Sequence, residues 1–258
     1  MYWLTYRQHR VQFVVTVAFL VVLGAVLLAS ASATAGADEE FMSLYPYLSS
    51  MPVLPIAVGV FWGAPLLAAE YERGTSRLAW TQSISRGRWL ASKLGALGLL
   101  VTLAGLGFGL MIQAWLNAFP AVRTADRFGD MSFFAMTGVA PGAWWLFGFM
   151  LGTAAGAVIR KTLPAIAVTI AVFVLVLIGI FTNRGGYAEP VVVPADTAAG
   201  VPAGMILRPA TLDGGTRAAY EMQPSDRYWR FQWTEAGILL TGTLLLTAGT
   251  VVAVRRRL

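Results

Sequence analysis

The sequence predicts an all-α integral membrane protein with six transmembrane helices, and three observations carry that reading. Only 12% of the 258 residues are charged, against about 25% in a soluble domain, while 57% are hydrophobic and mean hydropathy is +0.66. Six apolar runs approach the length at which a helix rising about 1.5 Å per residue crosses a hydrocarbon core of about 30 Å. The basic residues fall in alternate connections between those runs, as cytoplasmic connections do.

The runs lie at residues 11–30, 52–69, 92–116, 138–159, 163–182 and 234–254. The first is followed by "ASASATAGA", which offers signal-peptidase-like sites. Its apolar stretch of about 18 residues is longer than a signal h-region, so an uncleaved first helix is expected. Pro52, Pro55 and Pro65 predict a kinked second span. Gly105 and Gly109 mark the third span, and Gly138, Gly142, Gly148, Gly152 and Gly156 the fourth. Four-residue spacing puts such glycines on one helix face, where another backbone can come close. Packing within the chain and a subunit interface are the two readings of that face. Residues 31–51 and 117–137 form moderate connections. Residues 183–233 form a large one, in which Pro190, Pro194, Pro202, Pro209 and Pro224 exclude a long helix. It ends in "YWRFQW", Tyr228–Trp233, read as an aromatic belt at the membrane boundary.

One set of connections holds Arg7, Arg10, Arg73, Arg77, Arg86, Arg88, Lys93, Arg160, Lys161 and Arg255–Arg257, with Glu70 and Glu72 as its acids. Its net charge is +10 and that of the opposite set −4. Positive residues stay inside, which places both termini in the cytoplasm. The overall charge of +6 is then a membrane-flanking pattern and not a nucleic-acid footprint.

Several chemistries are excluded. The chain has no Cys and a single His, His9, so disulfides, thiolate metal sites and a Ser–His hydrolase are not expected. A phosphate-binding loop needs Gly-Lys-Ser/Thr, yet Lys93 follows Ser92 and Lys161 follows Arg160. No catalytic, cofactor or metal residue is therefore assigned. No acidic or basic residue stands well inside a span, which leaves no proton relay of the kind ion-coupled carriers use. Gln113 and a few Thr are expected to bond to neighbouring helices.

The connection between spans two and three is longer than a turn needs. It reads "EYERGTSRLAWTQSISRGRW", Glu70–Trp89. Gly74 can end the second span and Thr75 can cap a short new helix. Leu78, Trp80, Thr81 and Ile84 give that helix an apolar side, and Ser85 can cap span three. Arg73, Arg77, Arg86 and Arg88 surround it. Glu70 and Glu72 oppose the dipole at the end of span two. They call for positive partners: the connection's own Arg, Arg7 or Arg10, or another protein. A solvated, self-satisfied charge cluster is the plain alternative.

Glu70-Tyr-Glu72-Arg-Gly74-Thr75 resembles the E-x-E-x-G-T stretch of ABC-2 type transporter permeases, the membrane subunits of ATP-driven transporters. "RLAWTQSISRGRW" resembles their bacterial variant, and the six-span layout with a large loop between spans five and six is similar too. Two positions depart: Ser83 stands where many members have Pro, and Ser76-Arg77 replaces the familiar Leu-Glu. The resemblance implies a coupling helix at 75–83 that docks on an ATPase subunit through Thr75, Arg77, Leu78, Trp80, Thr81 and Ser83. It implies a hinge steadied by Glu70 and Glu72, within a cluster completed by Arg73, Gly74, Arg86 and Arg88. It also implies an N-terminal interfacial helix, with Tyr2, Trp3 and Tyr6 in the headgroup layer and Arg7 and Arg10 on anionic lipid.

The wider implications are a homo- or heterodimer in the bacterial plasma membrane, ATP and Mg bound by the partner and not by this chain, and export of an unnamed substrate. The rivals are an ion-coupled secondary transporter and a non-transporting scaffold or sensor that uses residues 183–233.

Overall fold

Proline and glycine dictate how the second span is built. In the computed structural model, which describes residues 2–32, 37–73, 86–119, 126–195, 203–212 and 215–256, this span is a chain of short segments. A 3₁₀ turn (Met51–Val53) leads into α3 (Leu54–Val58), a π turn (Gly59–Gly63) and α4 (Ala64–Glu72). Pro52, Pro55 and Pro65 each sit in the first turn of their segment, where a missing N–H breaks no helical bond. The wide π turn is braced from span one: Gln12 Nε2 donates to the Phe61 carbonyl at 3.0 Å.

The other spans are continuous helices. α1 (Tyr2–Ala31) runs unbroken from the N-terminal stretch through span one, so no separate interfacial helix is distinguished. α5 (Arg86–Asn117), α7 (Ala140–Ile159), α8 (Thr162–Asn183) and α9 (Tyr228–Arg256) are spans three to six. Two shorter helices were not assigned from the sequence. α2 (Ala37–Ser49) precedes span two, and α6 (Met131–Met136) is capped by Asp130, whose Oδ1 accepts from the N–H of Ser132 and Phe133. α2 is held by Phe41, fully buried and stacked on Trp115 with ring centroids 5.0 Å apart.

Span four is the centre. Nearly all of α7 is buried, and α3–α4, α5, α8 and α9 all pack on it. Its glycine face makes this possible. A Cβ on Gly148 would stand 2.4 Å from the Pro55 carbonyl oxygen, one on Gly152 2.1 Å from that of Gly59, and one on Gly156 2.4 Å from that of Ala64. On α5, a Cβ on Gly105 would stand 2.8 Å from the Pro141 carbonyl oxygen of α7, and one on Gly109 2.9 Å from the Pro141 ring. All five glycines are thus used in contacts between helices of this one chain. The outer helices instead turn apolar side chains away from the protein, among them Val15, Val22, Leu163, Leu175 and Leu244. Such a surface suits lipid.

The architecture is not purely helical. The prolines exclude a helix between spans five and six, and the β-branched and alternating residues left over pair as strands. β1 (Val191–Pro194), β2 (Gly204–Leu212) and β3 (Arg217–Pro224) form an antiparallel sheet of order β1-β3-β2. Val192 pairs with Glu221, and Ala210 with Ala219; a bulge interrupts β2 between Ile206 and Arg208. Met205 and Met222 are buried beneath it.

The aromatic belt also needs correcting. α9 begins at Tyr228, six residues before the expected span. Trp229 and Trp233 are exposed as anchors, but Tyr228 and Phe231 are core residues packed on Phe128 and Phe134. Gln113 does not reach a neighbouring span. It donates to Asn117 on its own helix and accepts from Arg127.

Candidate functional site on the basic face

The last turn of α4 puts Glu70, Tyr71 and Glu72 at the basic ends of the spans, where the chain leaves for residues 74–85. Each of the three reaches a different partner. Lys93 Nζ, on the second turn of α5, donates to Glu70 Oε1 at 2.5 Å, and the Lys93 side chain is only 6% exposed. Tyr71 lies under the Arg160 guanidinium, 4.9 Å from the ring centroid. Glu72 accepts from the Thr162 backbone N–H at 3.0 Å and from the Thr162 hydroxyl at 2.6 Å.

These contacts add to the expected partners of the two acids. Among the described residues Glu70 pairs with Lys93 of span three and Glu72 bonds to Thr162 of span five, while Arg73 of the connection adds a favourable positive charge beside Glu72. Glu72 opposes its own helix and stabilises another, because it supplies an acceptor and a negative charge at the free N–H groups that open α8. The turn that makes this possible is tight. Arg160 ends α7 in the left-handed region at φ 61°, with its N–H on the Gly156 carbonyl at 3.0 Å, and Lys161 is the extended N-cap of α8. Thr162 follows at once and faces Glu72.

Thr75, Arg77, Leu78, Trp80, Thr81 and Ser83, with Gly74, lie outside the described residues. Arg73 is the C-cap of α4, its N–H on the Ala69 carbonyl. Arg86 and Arg88 are in the first turn of α5. The structure therefore describes both banks of the connection and joins them through Glu70 and Lys93. The sequence reading missed Tyr71, Lys93, Arg160 and Thr162. A signal existed for Thr162, a hydroxyl at a helix start after a basic turn.

The opposite face holds a second polar centre. Arg184 Nε donates to Glu235 Oε2 at 2.8 Å and Nη2 to Oε1 at 3.1 Å, with both side chains fully buried. Trp144 Nε1 donates to Glu235 Oε1, and Arg184 Nη1 to the Met131 carbonyl, each at 2.8 Å. Phe134 and Phe181 flank the guanidinium. Below it, Gln232 accepts from the N–H of Val139 and Ala140 and donates to the Phe134 carbonyl, closing the start of α7. Asp126 Oδ2 accepts from the Gly204 N–H and ties the sheet to the connection after span three. Among the described residues no His, Asp or Glu cluster could hold a metal ion.

Six helices long and apolar enough to cross a membrane, wrapped around a glycine-faced central helix, define a multi-pass helical membrane protein. A family model described as ABC-2 membrane transporter related matches residues 14–184, about two thirds of the chain, and the protein belongs to that family. Membership makes it a permease-type membrane subunit, a class that is typically not itself an enzyme. No curated protein and no solved structure gave a match.

Proposed function

We propose that this chain is the permease subunit of an ATP-driven exporter, in which a separate ATPase docks on residues 75–83. One observation supports the reading above the others: the end of span two that leads into that connection is fastened to three other spans at once. Glu70 reaches span three, Tyr71 the end of span four, and Glu72 the start of span five. A displacement of the connection by a closing ATPase would be passed to all of them together. In this reading the basic face is cytoplasmic, the membrane is the bacterial plasma membrane, and two permease subunits work with two ATPases that hold ATP and Mg.

The rival of an ion-coupled carrier has little to use. The buried Arg184 and Glu235 satisfy one another and their neighbours, whereas a coupling ion needs ligands it can enter and leave.

The experiment is mild-detergent purification of the tagged chain, identification of what co-purifies, and uptake of candidate substrates into inside-out vesicles. An ATPase should co-purify, and transport should stop when its catalytic site is disabled. Transport that runs on a proton gradient without ATP would sink the proposal.

A further inference from the structure

Span four is not covered on every side. α5 and α9 both pack against α7, and between them lies an open groove of about 590 Å³. Its floor includes Met150 of α7, and its walls run along Leu90–Thr102 of α5 and Thr243–Arg255 of α9.

Three features say what the groove fits. The first is depth. At about 1.5 Å per residue each wall is about 18 Å long, little more than half of a core of about 30 Å. The lining ends at Thr102 and Thr243, and past them each wall helix lies against α7. There Gly105 and Gly109 seat on Pro141, while Ala236 and Leu239 pack in one cluster with Trp144 and Phe147. The groove is about one leaflet deep, which matches an acyl chain and not the full length of a transmembrane helix. The second is polarity. The Thr243 and Thr247 hydroxyls donate to the carbonyls of Leu239 and Thr243 on their own helix, which leaves a hydrocarbon-like wall. The third is charge. The open end carries Arg255, exposed and without an ion-pair partner among the described residues, and no Asp or Glu lines the groove.

We propose that the groove seats a phospholipid of the leaflet on the basic face, with its acyl chain between spans three and six and its phosphate on Arg255. The site does not depend on the identity of the transported substrate or on the ATPase.

The test uses the full chain in nanodiscs of phosphatidylglycerol and phosphatidylcholine, each lipid supplied in turn with a photoactivatable acyl chain. Labelled peptides are mapped by mass spectrometry. Labelling should concentrate on the groove-lining stretches of α5 and α9 and on Met150, severalfold over the exposed face of α1 at Val14, Val15 and Val22. A Cβ at Gly95 would meet nothing within 4 Å, so Gly95→Leu should fold and fill the groove. It should cut labelling there at least fivefold and leave α1 labelling as it was. Thr247→Leu repeats the block from the other wall. Arg255→Gln should lower the preference for phosphatidylglycerol over phosphatidylcholine about fivefold, the effect of one basic residue near an anionic surface. Equal labelling of the groove and α1, unchanged by both Leu variants, would overturn the proposal. So would a disulfide between two copies carrying Cys at Gly98 and Thr247, which would make the occupant a second copy.

Discussion

Arg184 and Glu235 lie 51 positions apart in the chain and meet through two parallel hydrogen bonds, with neither side chain exposed. They clasp the end of span five to the start of span six. Trp144 and the Met131 carbonyl complete the arrangement.

Breaking one side of that clasp should be costly. Glu235→Gln or Arg184→Met leaves a buried group without its counter-charge, a loss of about 3–5 kcal/mol. The double variant Arg184→Met with Glu235→Leu should recover most of it, because no charge then remains buried. Thermal unfolding in detergent, followed by tryptophan fluorescence, measures all three. A double variant as unstable as the sum of the singles would contradict this account.

Glu72 should protect the start of α8. Removing its carboxylate in Glu72→Ala exposes the Thr162 N–H, so hydrogen exchange in peptides covering residues 160–168 should speed severalfold. Glu72→Gln keeps a carbonyl acceptor but loses the charge, and should fall between Glu72→Ala and the parent chain. Identical exchange in all three would show that the contact does not hold the helix end.

The glycine face makes a contrast between positions. Gly152→Ala would drive a Cβ to within 2.1 Å of the Gly59 carbonyl oxygen. Backbone cannot yield as a side chain can, so a loss at or above about 1–3 kcal/mol is expected. A Cβ on Gly237 meets nothing within 4 Å, and Gly237→Ala should be neutral or gain up to about 1 kcal/mol through helix propensity. Melting temperatures of the two variants, side by side, decide the matter.

Orientation and docking can be tested on a chain that needs no background removal, since it has no Cys. Cys at Ser76 should be shielded from an impermeant thiol reagent in intact cells, and Cys at Ala199 should react. Trp80→Ala should weaken ATPase binding or coupling while abundance stays normal, because burial of a large apolar side chain contributes about 1.5–3 kcal/mol. Wild-type binding and transport by Trp80→Ala at normal expression would refute the docking assignment.

The six spans were legible because length and hydropathy alone define them. The division of span two into short segments was legible in its prolines, although the π turn was not. A π turn is set by how Gly59 and Gly63 meet α7, which is a property of two helices and not of one. The sheet was missed for a related reason. Pro190 to Pro224 say only what the segment cannot be, and the pairing of Val192 with Glu221 joins residues far apart in sequence. The charges were the hardest part. Glu72 looked misplaced by the rule for its own helix, and only the fold brings Thr162 to it. Nothing in the sequence marked Arg184 and Glu235 as a pair, which only the meeting of spans five and six brings together.

With β3 in the middle, β1 and β2 are the edges of the sheet on the acidic face, and among the described residues no further strand pairs with either. Exposed strand flanks recruit strands from other molecules unless something prevents it. Here β1 is four residues long and ends in Pro194, while β2 is bent by its bulge and carries Pro209, which has no N–H to offer. The sheet is therefore finished at three strands. A protein crowded beside copies of itself in the plane of a bilayer is kept from zipping to its neighbours through this sheet.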